Sequence, residues 1–452
     1  MPEPDQPKQE SPSKRVWQLA WPNILSNLLF TTVGFIHIKI VAELGTSAVA
    51  AVTTGHRVFF LMQAILMGVS VAATALIARS WGAEKIKHAE MVAWASIGLS
   101  LILAVLLTVP ALLIPEQIAS LFGLDNETTR QAGTFIFWLG MFNVFAALNL
   151  MLSTALRATG DVITPLWFLL YSSILSGIMA YLLAFGVGPF PMLGVAGVAL
   201  GGGVSSLVVT VLFVVLWWRG RFNLKPIKSF SVDRDVVRQL THIGLPAVIE
   251  QGVIQLAFLA FFAIIARYGT EAYAAYGIGI SLVSFAIVIG FGFGIATATI
   301  VGQQLGAGNP ELAVASTWRS LRMAVAAMVV LSVLSATFAR EMAEFMIDDP
   351  VVVQLTTAFI YMIAVAQPLM ACEFTLAGAL RGAGDTRFPL IATFCGIILG
   401  RLLPALIFVN LGISVYWLFA VLLLDYAIKA SMLLYRFRSH KWLQLDITPH
   451  SA

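Results

Sequence analysis

The residues of this chain that could handle a proton, an ion or a charged solute stand inside long apolar stretches. They are His37, Asn149, Glu250 with its neighbour Gln251, Glu373, Arg401, and Asp425 with Lys429 four residues on. Polar and charged groups in hydrocarbon are costly, so each is a candidate for function. An imidazole such as His37 exchanges a proton near neutral pH. A carboxylate with few water neighbours, as at Glu250, Glu373 or Asp425, suits a site that takes up and releases a proton or a cation. Each also has a plainer reading. His37 fits a neutral packing histidine, Arg401 and Lys429 fit static partners for Glu250 and Glu373, and Asp425 with Lys429 fits a pair on one helix face. Lys39 and Glu43 read as a pair at the outer mouth, and His56 and Arg57 as structural partners of the first apolar run.

Enzyme chemistry has little support. There is no His-x-x-x-His, no paired acidic motif and no phosphate loop, since neither Gly-rich corner described below is followed by Lys-Ser or Lys-Thr. The lack of a soluble nucleotide-binding domain argues against a primary pump, and no cofactor is expected beyond H+ or Na+ as a coupling ion. Cys372 and Cys395 both lie in apolar segments and read as small core residues. Nothing in the charge pattern suggests nucleic acid.

What must position these residues is a membrane. With 59% hydrophobic and 11% charged residues, a mean hydropathy of +0.90 and water-soluble domains near 25% charged, a soluble fold is excluded. Apolar runs of roughly 20 residues cross a bilayer as helices. Twelve occur, near 17–42, 48–78, 90–114, 131–153, 163–187, 193–218, 241–266, 272–302, 314–338, 352–377, 388–409 and 413–436. Lys and Arg gather on one set of connections, leaving only Arg130, Arg267 and Arg340 on the other. The expected place is therefore the plasma membrane (a bacterial inner membrane), with both termini cytoplasmic.

The chain also repeats. Ala155-Leu-Arg-Ala-Thr-Gly-Asp161 returns as Ala379-Leu-Arg-Gly-Ala-Gly-Asp385, an offset of 224 that also carries Pro22 to Pro246, Gly45 to Gly269 and Gly82 to Gly306. Six helices per copy is an even number, so both copies insert alike, as parallel repeats with a site between them near the midplane. The expected division is a disordered tail over 1–15, one lobe over 16–218, a linker over 219–240, a second lobe over 241–437 and a tail over 438–452. At each corner the Arg (Arg157, Arg381) complements a helix end, the Gly permits a left-handed cap, and the Asp (Asp161, Asp385) caps the next helix. A gating ion pair is the alternative for these corners.

The two corners, Gly186-Val-Gly-Pro-Phe-Pro-Met-Leu-Gly-Val-Ala-Gly197, Val301-Gly-Gln-Gln-Leu-Gly-Ala-Gly-Asn-Pro310 and Gly244-Leu-Pro246 resemble the multidrug and toxic compound extrusion (MATE) transporters. The likeness runs from about residue 15 to residue 442. It implies an all-α fold of twelve helices in two pseudo-symmetric six-helix lobes forming a V. It also implies a monomer in the bilayer exporting drugs or other organic cations in exchange for H+ or Na+. Lipid-linked precursor flippases of the same superfamily are the alternative. Many members, the DinF-like group especially, carry an Asp in helix 1 where this chain has His37, and a second in helix 5 where it has Ala180. The resemblance therefore shifts attention from an N-lobe Na+ site to H+, and to Glu250 and Glu373, which lie on the helices that carry acidic coupling residues in the NorM-like group.

Overall fold

The computed structural model describes residues 12–226 and 233–445. Twelve helices in it are long and apolar enough to cross a membrane, and no strand occurs among the described residues. They are α1 (Pro12–Ala42), α2 (Thr46–Gly82), α3 (Ile86–Leu113), α4 (Asn126–Thr159), α5 (Ile163–Phe185) and α6 (Val195–Trp218). The second half adds α7 (Arg234–Ala266), α8 (Thr270–Gly306), α9 (Pro310–Thr337), α10 (Pro350–Gly382), α11 (Arg387–Asn410) and α12 (Val415–Arg438).

The repeat is visible in the helix limits. Both ends of α2 and of α3 recur 224 residues later as those of α8 and α9. Two short helices on the side away from the termini that hydropathy did not indicate, Pro115–Ser120 and Ala339–Met346, start at the same offset. So do two caps. The Asp125 carboxylate accepts the Glu127 and Thr128 amides, and Asp349 accepts those of Val351 and Val352. Hydrogen bonds from the side chain and backbone of Thr128 hold the exposed Asp125 carboxyl below the usual carboxylate range.

Several expected boundaries move. The stretch read as a tail over 1–15 already holds the first turn of α1, and residues 1–11 lie outside those described. The 219–240 linker is shorter, because Asp233 caps α7 by accepting the Asp235 amide at 2.9 Å; residues 227–232 lie outside the description. After α12 the chain turns through Lys441–Gln444, where the buried Trp442 stacks on Phe437 with centroids 5.1 Å apart. Part of the supposed C-terminal tail is thus packed; residues 446–452 lie outside the description. Lys39 and Glu43 do not pair, since α1 ends at Ala42 and the helical spacing that would align them stops short of Glu43.

In the first half α4 packs against α2, α3 and α6, and in the second half α10 packs against α8, α9 and α12. The halves meet through α1 with α8 and through α2 with α7 and α8. Glycines make this approach possible. A Cβ on Gly82 would lie 1.9 Å from the Gln303 carbonyl oxygen, and one on Gly306 would lie 2.0 Å from that of Arg79. Gly68 stands against Val248 and the Gly244 carbonyl, and Gly292 against Ile24. Without a hydrophobic driving force between helices in lipid, such close backbone packing supplies the association. These contacts all fall in the parts of the helices nearer the chain termini. On that face Arg15 Nη2 also donates to Gln303 Oε1 at 2.6 Å, and Gln303 Nε2 to the Ala158 carbonyl at 2.8 Å.

Candidate functional site: two polar centres in the membrane

The second half holds a buried network of four charges. Arg401 on α11 contacts Asp425 on α12. Lys429, one turn on, lies 3.2 Å from Asp425 Oδ1 and 3.4 Å from Glu373 Oε1 on α10. Asp425 is fully enclosed, and Glu373 is the most accessible member at 14% exposure. Two cations face two carboxylates, so the cluster is neutral when every member is ionised. It is not fully satisfied. Among the described residues Arg401 Nε and Glu373 Oε2 have no hydrogen-bond partner. An incompletely bonded charge cluster in low dielectric is costly, which marks it as a place of function.

Local sequence explains how these groups meet. The middle of α11, Gly396–Leu402, winds as a π-helix, a form that concentrates at functional sites. Gly396 and Gly400 face α12 so closely that a Cβ would lie 2.6 Å from Asp425 Oδ1 and 2.7 Å from Asp425 Cα. Aromatic rings close the rest. The Arg401 guanidinium lies 5.9 Å from the Phe261 centroid and 6.0 Å from that of Tyr426, and Lys429 Nζ is 5.3 Å from Tyr426.

Glu250 and Gln251 stand apart from this network. Glu250 Oε1 accepts from Arg381 Nη2 at 2.7 Å and from Thr393 Oγ1 at 2.8 Å. The carboxylate thus ties α7 to the α10 corner and to α11, and its cation is Arg381 rather than Arg401. Gln251 is half-buried. Asp385 caps α11 through the Phe388 amide and also accepts from Arg436 Nε at 2.7 Å. In the first half Asp161 caps α5 through the Thr164 amide, and Gly160 is left-handed. Arg157 has no acid opposite, because Ser26 stands where Glu250 stands in the second copy; its Nε is buried without a partner.

The first half carries a second, uncharged centre. His37 Nε2 and Ser176 Oγ share a hydrogen bond of 3.0 Å between α1 and α5. The His37 ring stacks on His56 of α2, with centroids 5.8 Å apart and planes 18° apart. His37 Nδ1 and His56 Nε2 are buried without hydrogen-bond partners. Gly202 of α6 leaves the room, since a Cβ there would lie 3.6 Å from the His37 ring. Asn149 bonds the Ser206 carbonyl at 3.1 Å, tying α4 to α6 away from this pair. At the 224-residue offset, His37 corresponds to Phe261 and Ser176 to Gly400, beside Arg401. The two polar centres therefore occupy equivalent places in the two copies. The pairing of Glu250 with Arg381 and the roles of Tyr426, Gly396 and Gly400 had no signal in spacing; His56 did, as a predicted neighbour of α1.

The MatE family model matches residues 22–182 and again 246–407, two copies whose starts lie 224 residues apart. The chain belongs to the MatE family. It is 28% identical over 446 residues to a probable multidrug resistance protein NorM of Thermotoga maritima, covering 96% of this chain and 95% of that one. It is 24% identical over 383 residues to an FAD transporter of Shewanella oneidensis, covering 84% of each. Among solved structures, a MOP superfamily transporter of Pyrococcus furiosus described as having a binding pocket of reverse polarity superposes with a TM-score of 0.89. Identity there is 20%, with 96% of this chain and 97% of that one covered. An outward-facing multidrug resistance MATE transporter gives the same TM-score at 20% identity, over 95% and 96% of the two chains. At these identities the structures establish the fold: this is a multi-pass MATE-type membrane protein, in a transporter family rather than an enzyme family.

Proposed function

We propose that this protein is a secondary-active multidrug exporter that expels organic cations or similar amphiphiles in exchange for H+. It works as a monomer in the bacterial inner membrane with both termini cytoplasmic. With that orientation the halves are closed on the cytoplasmic side and the state is outward-facing. The names of the NorM relatives support the efflux reading, and the preponderance of Lys and Arg on the termini side supports the orientation.

The observation that carries the coupling is the neutral Arg401–Asp425–Lys429–Glu373 cluster, whose least enclosed member, Glu373, is only half-bonded. A proton on Glu373 removes one of the two anions holding Lys429 and leaves the cluster with one net positive charge. That charge repels a cationic solute and loosens α10 from α12. A proton and an organic cation are thus alternative occupants of one centre, which is the requirement for exchange. Na+ fits less well, because both Asp425 oxygens already face cations and no group of three or more acidic, His or Cys ligands occurs among the described residues.

The test is export of a fluorescent organic cation from proteoliposomes under a pH gradient and, separately, under a Na+ gradient. Export driven by the pH gradient and abolished by Glu373→Gln is the expected result. Export that needs Na+, or that survives Glu373→Gln unchanged, would refute coupling at this centre. No export under either gradient would favour flipping of a lipid-linked precursor.

A further inference from the structure

On the termini side, beneath the contact between the halves, lies a cavity of about 1060 Å³ that the exchange reaction above does not use. Its walls include Arg15 and Trp21 of α1, Trp81 and Glu84 at the end of α2, Asp161 of the first corner and Gln303 of α8. Known small-molecule sites run to about 1000 Å³ and combine apolar walls with a few convergent polar groups. The charges here have an uneven arrangement. Arg15, the one cation among the described residues of the lining, is bonded to the neutral amide of Gln303. Glu84 and Asp161 make no ion pair among the described residues, and Asp161 uses one oxygen to cap α5. Among the described lining residues the charges of Arg15, Glu84 and Asp161 sum to minus one, beside two indole rings, on a face rich in Lys and Arg. Carboxylates and indole rings lining one cavity are what recognises a bulky organic cation.

Gln303 connects this chamber to the closure of the halves. It is buried at 5% exposure, takes Arg15 on its oxygen, gives its amide to the Ala158 carbonyl and presses its backbone on Gly82. A cation drawn to Glu84 and Asp161 competes electrostatically with the guanidinium that occupies the same chamber. We infer that the chamber is a loading site for an aromatic organic cation, whose arrival displaces Arg15 from Gln303 and so loosens the latch between the halves. The inference rests on the efflux reading and its orientation. It places the first encounter with solute on the face where solute would enter, ahead of the membrane centres.

The experiment is calorimetric titration of tetraphenylphosphonium into the purified full chain in lipid-free micelles. Glu84→Gln is expected to weaken binding about threefold, and Trp81→Ala about fivefold, from loss of one exposed charge and one cation–π face. Trp81→Phe, which keeps packing and a weaker ring, falls between. Arg15→Ala is expected to tighten binding about threefold, a sign that a merely structural Arg15 would not give. Unchanged affinity across these variants, with parent and variants still exporting the probe, would overturn the loading site and leave the efflux reading intact. The predicted pattern of affinities without export under a pH gradient would uphold the site and reject the efflux reading. A lipid ammonium headgroup shares this chemistry, so the titration is repeated in nanodiscs with and without phosphatidylethanolamine. Equal probe binding assigns the chamber to a soluble cation, and suppression by the lipid overturns that assignment.

Discussion

Removing the charge of Asp425 is the most direct test of the network in the second half. Asp425→Asn keeps the volume, so it opens no cavity, but it leaves Arg401 and Lys429 facing the single carboxylate of Glu373. Breaking a buried pair by neutralising one partner costs about 3–5 kcal/mol. Asp425 is fully enclosed and touches two cations, which places the expected loss at the upper end, about 4–5 kcal/mol. At 1.36 kcal/mol for each factor of ten, that is a shift of about a thousandfold or more in the unfolding equilibrium. The companion variant Arg401→Met with Asp425→Leu removes one charge of each sign and leaves Lys429 with Glu373. Apolar replacement of a buried pair is about neutral or stabilising. Reversible unfolding by detergent titration measures both. A single variant within about 1 kcal/mol of the parent would refute the network as a desolvated unit, as would a double variant as unstable as the single.

Three further outcomes are expected. Gly82→Ala places a methyl carbon against the Gln303 carbonyl, 1.9 Å away if nothing moves, so spin-label distances across the termini side should lengthen and the open population rise; an unchanged distribution would show that Gln303 does not set the closure. His37→Ala removes the bond to Ser176 and the ring stacked on His56, and should shift the pH profile of export if this centre exchanges protons; an unmoved profile would return His37 to packing. The Asp125 cap, with its carboxyl held below the unfolded value, supports the start of α4 above about pH 4 and loses that support as pH falls through the lowered value. The protection factors of the Glu127 and Thr128 amides, corrected for intrinsic exchange, should therefore fall in acid in the parent and be low at every pH in Asp125→Ala.

What was legible in the sequence is what local chemistry encodes. Twelve helices follow from runs of apolar residues, and the repeat from turn residues that hold one spacing, such as Gly82 with Gly306. Asp425 and Lys429 also read correctly, because four residues on a helix fix a neighbour. The rest depends on approach between distant segments. Glu250 and Arg381 are 131 residues apart, and nothing near either names the other. Gly396–Leu402 reads as ordinary apolar helix, yet its π winding sets the path past Asp425. Lys39 and Glu43 had suitable spacing, but their helix ended between them.

The duplication itself makes the differences between the copies informative. Each corner Arg sits at the end of a corresponding helix, yet Arg381 meets Glu250 while Arg157 has no acid to meet among the described residues, Ser26 standing at the position of Glu250. The crossing of α1 with α5 carries imidazole and hydroxyl groups, whereas at the crossing of α7 with α11 the guanidinium of Arg401 reaches an acid on α12. A scaffold needs the glycines, prolines and caps that both copies keep. The groups that differ join helices in one copy only, as Glu250 ties α7 to α10 and α11. On the exchange reading proposed above, coupling falls to the charged second half, where proton and organic cation alternate at one cluster.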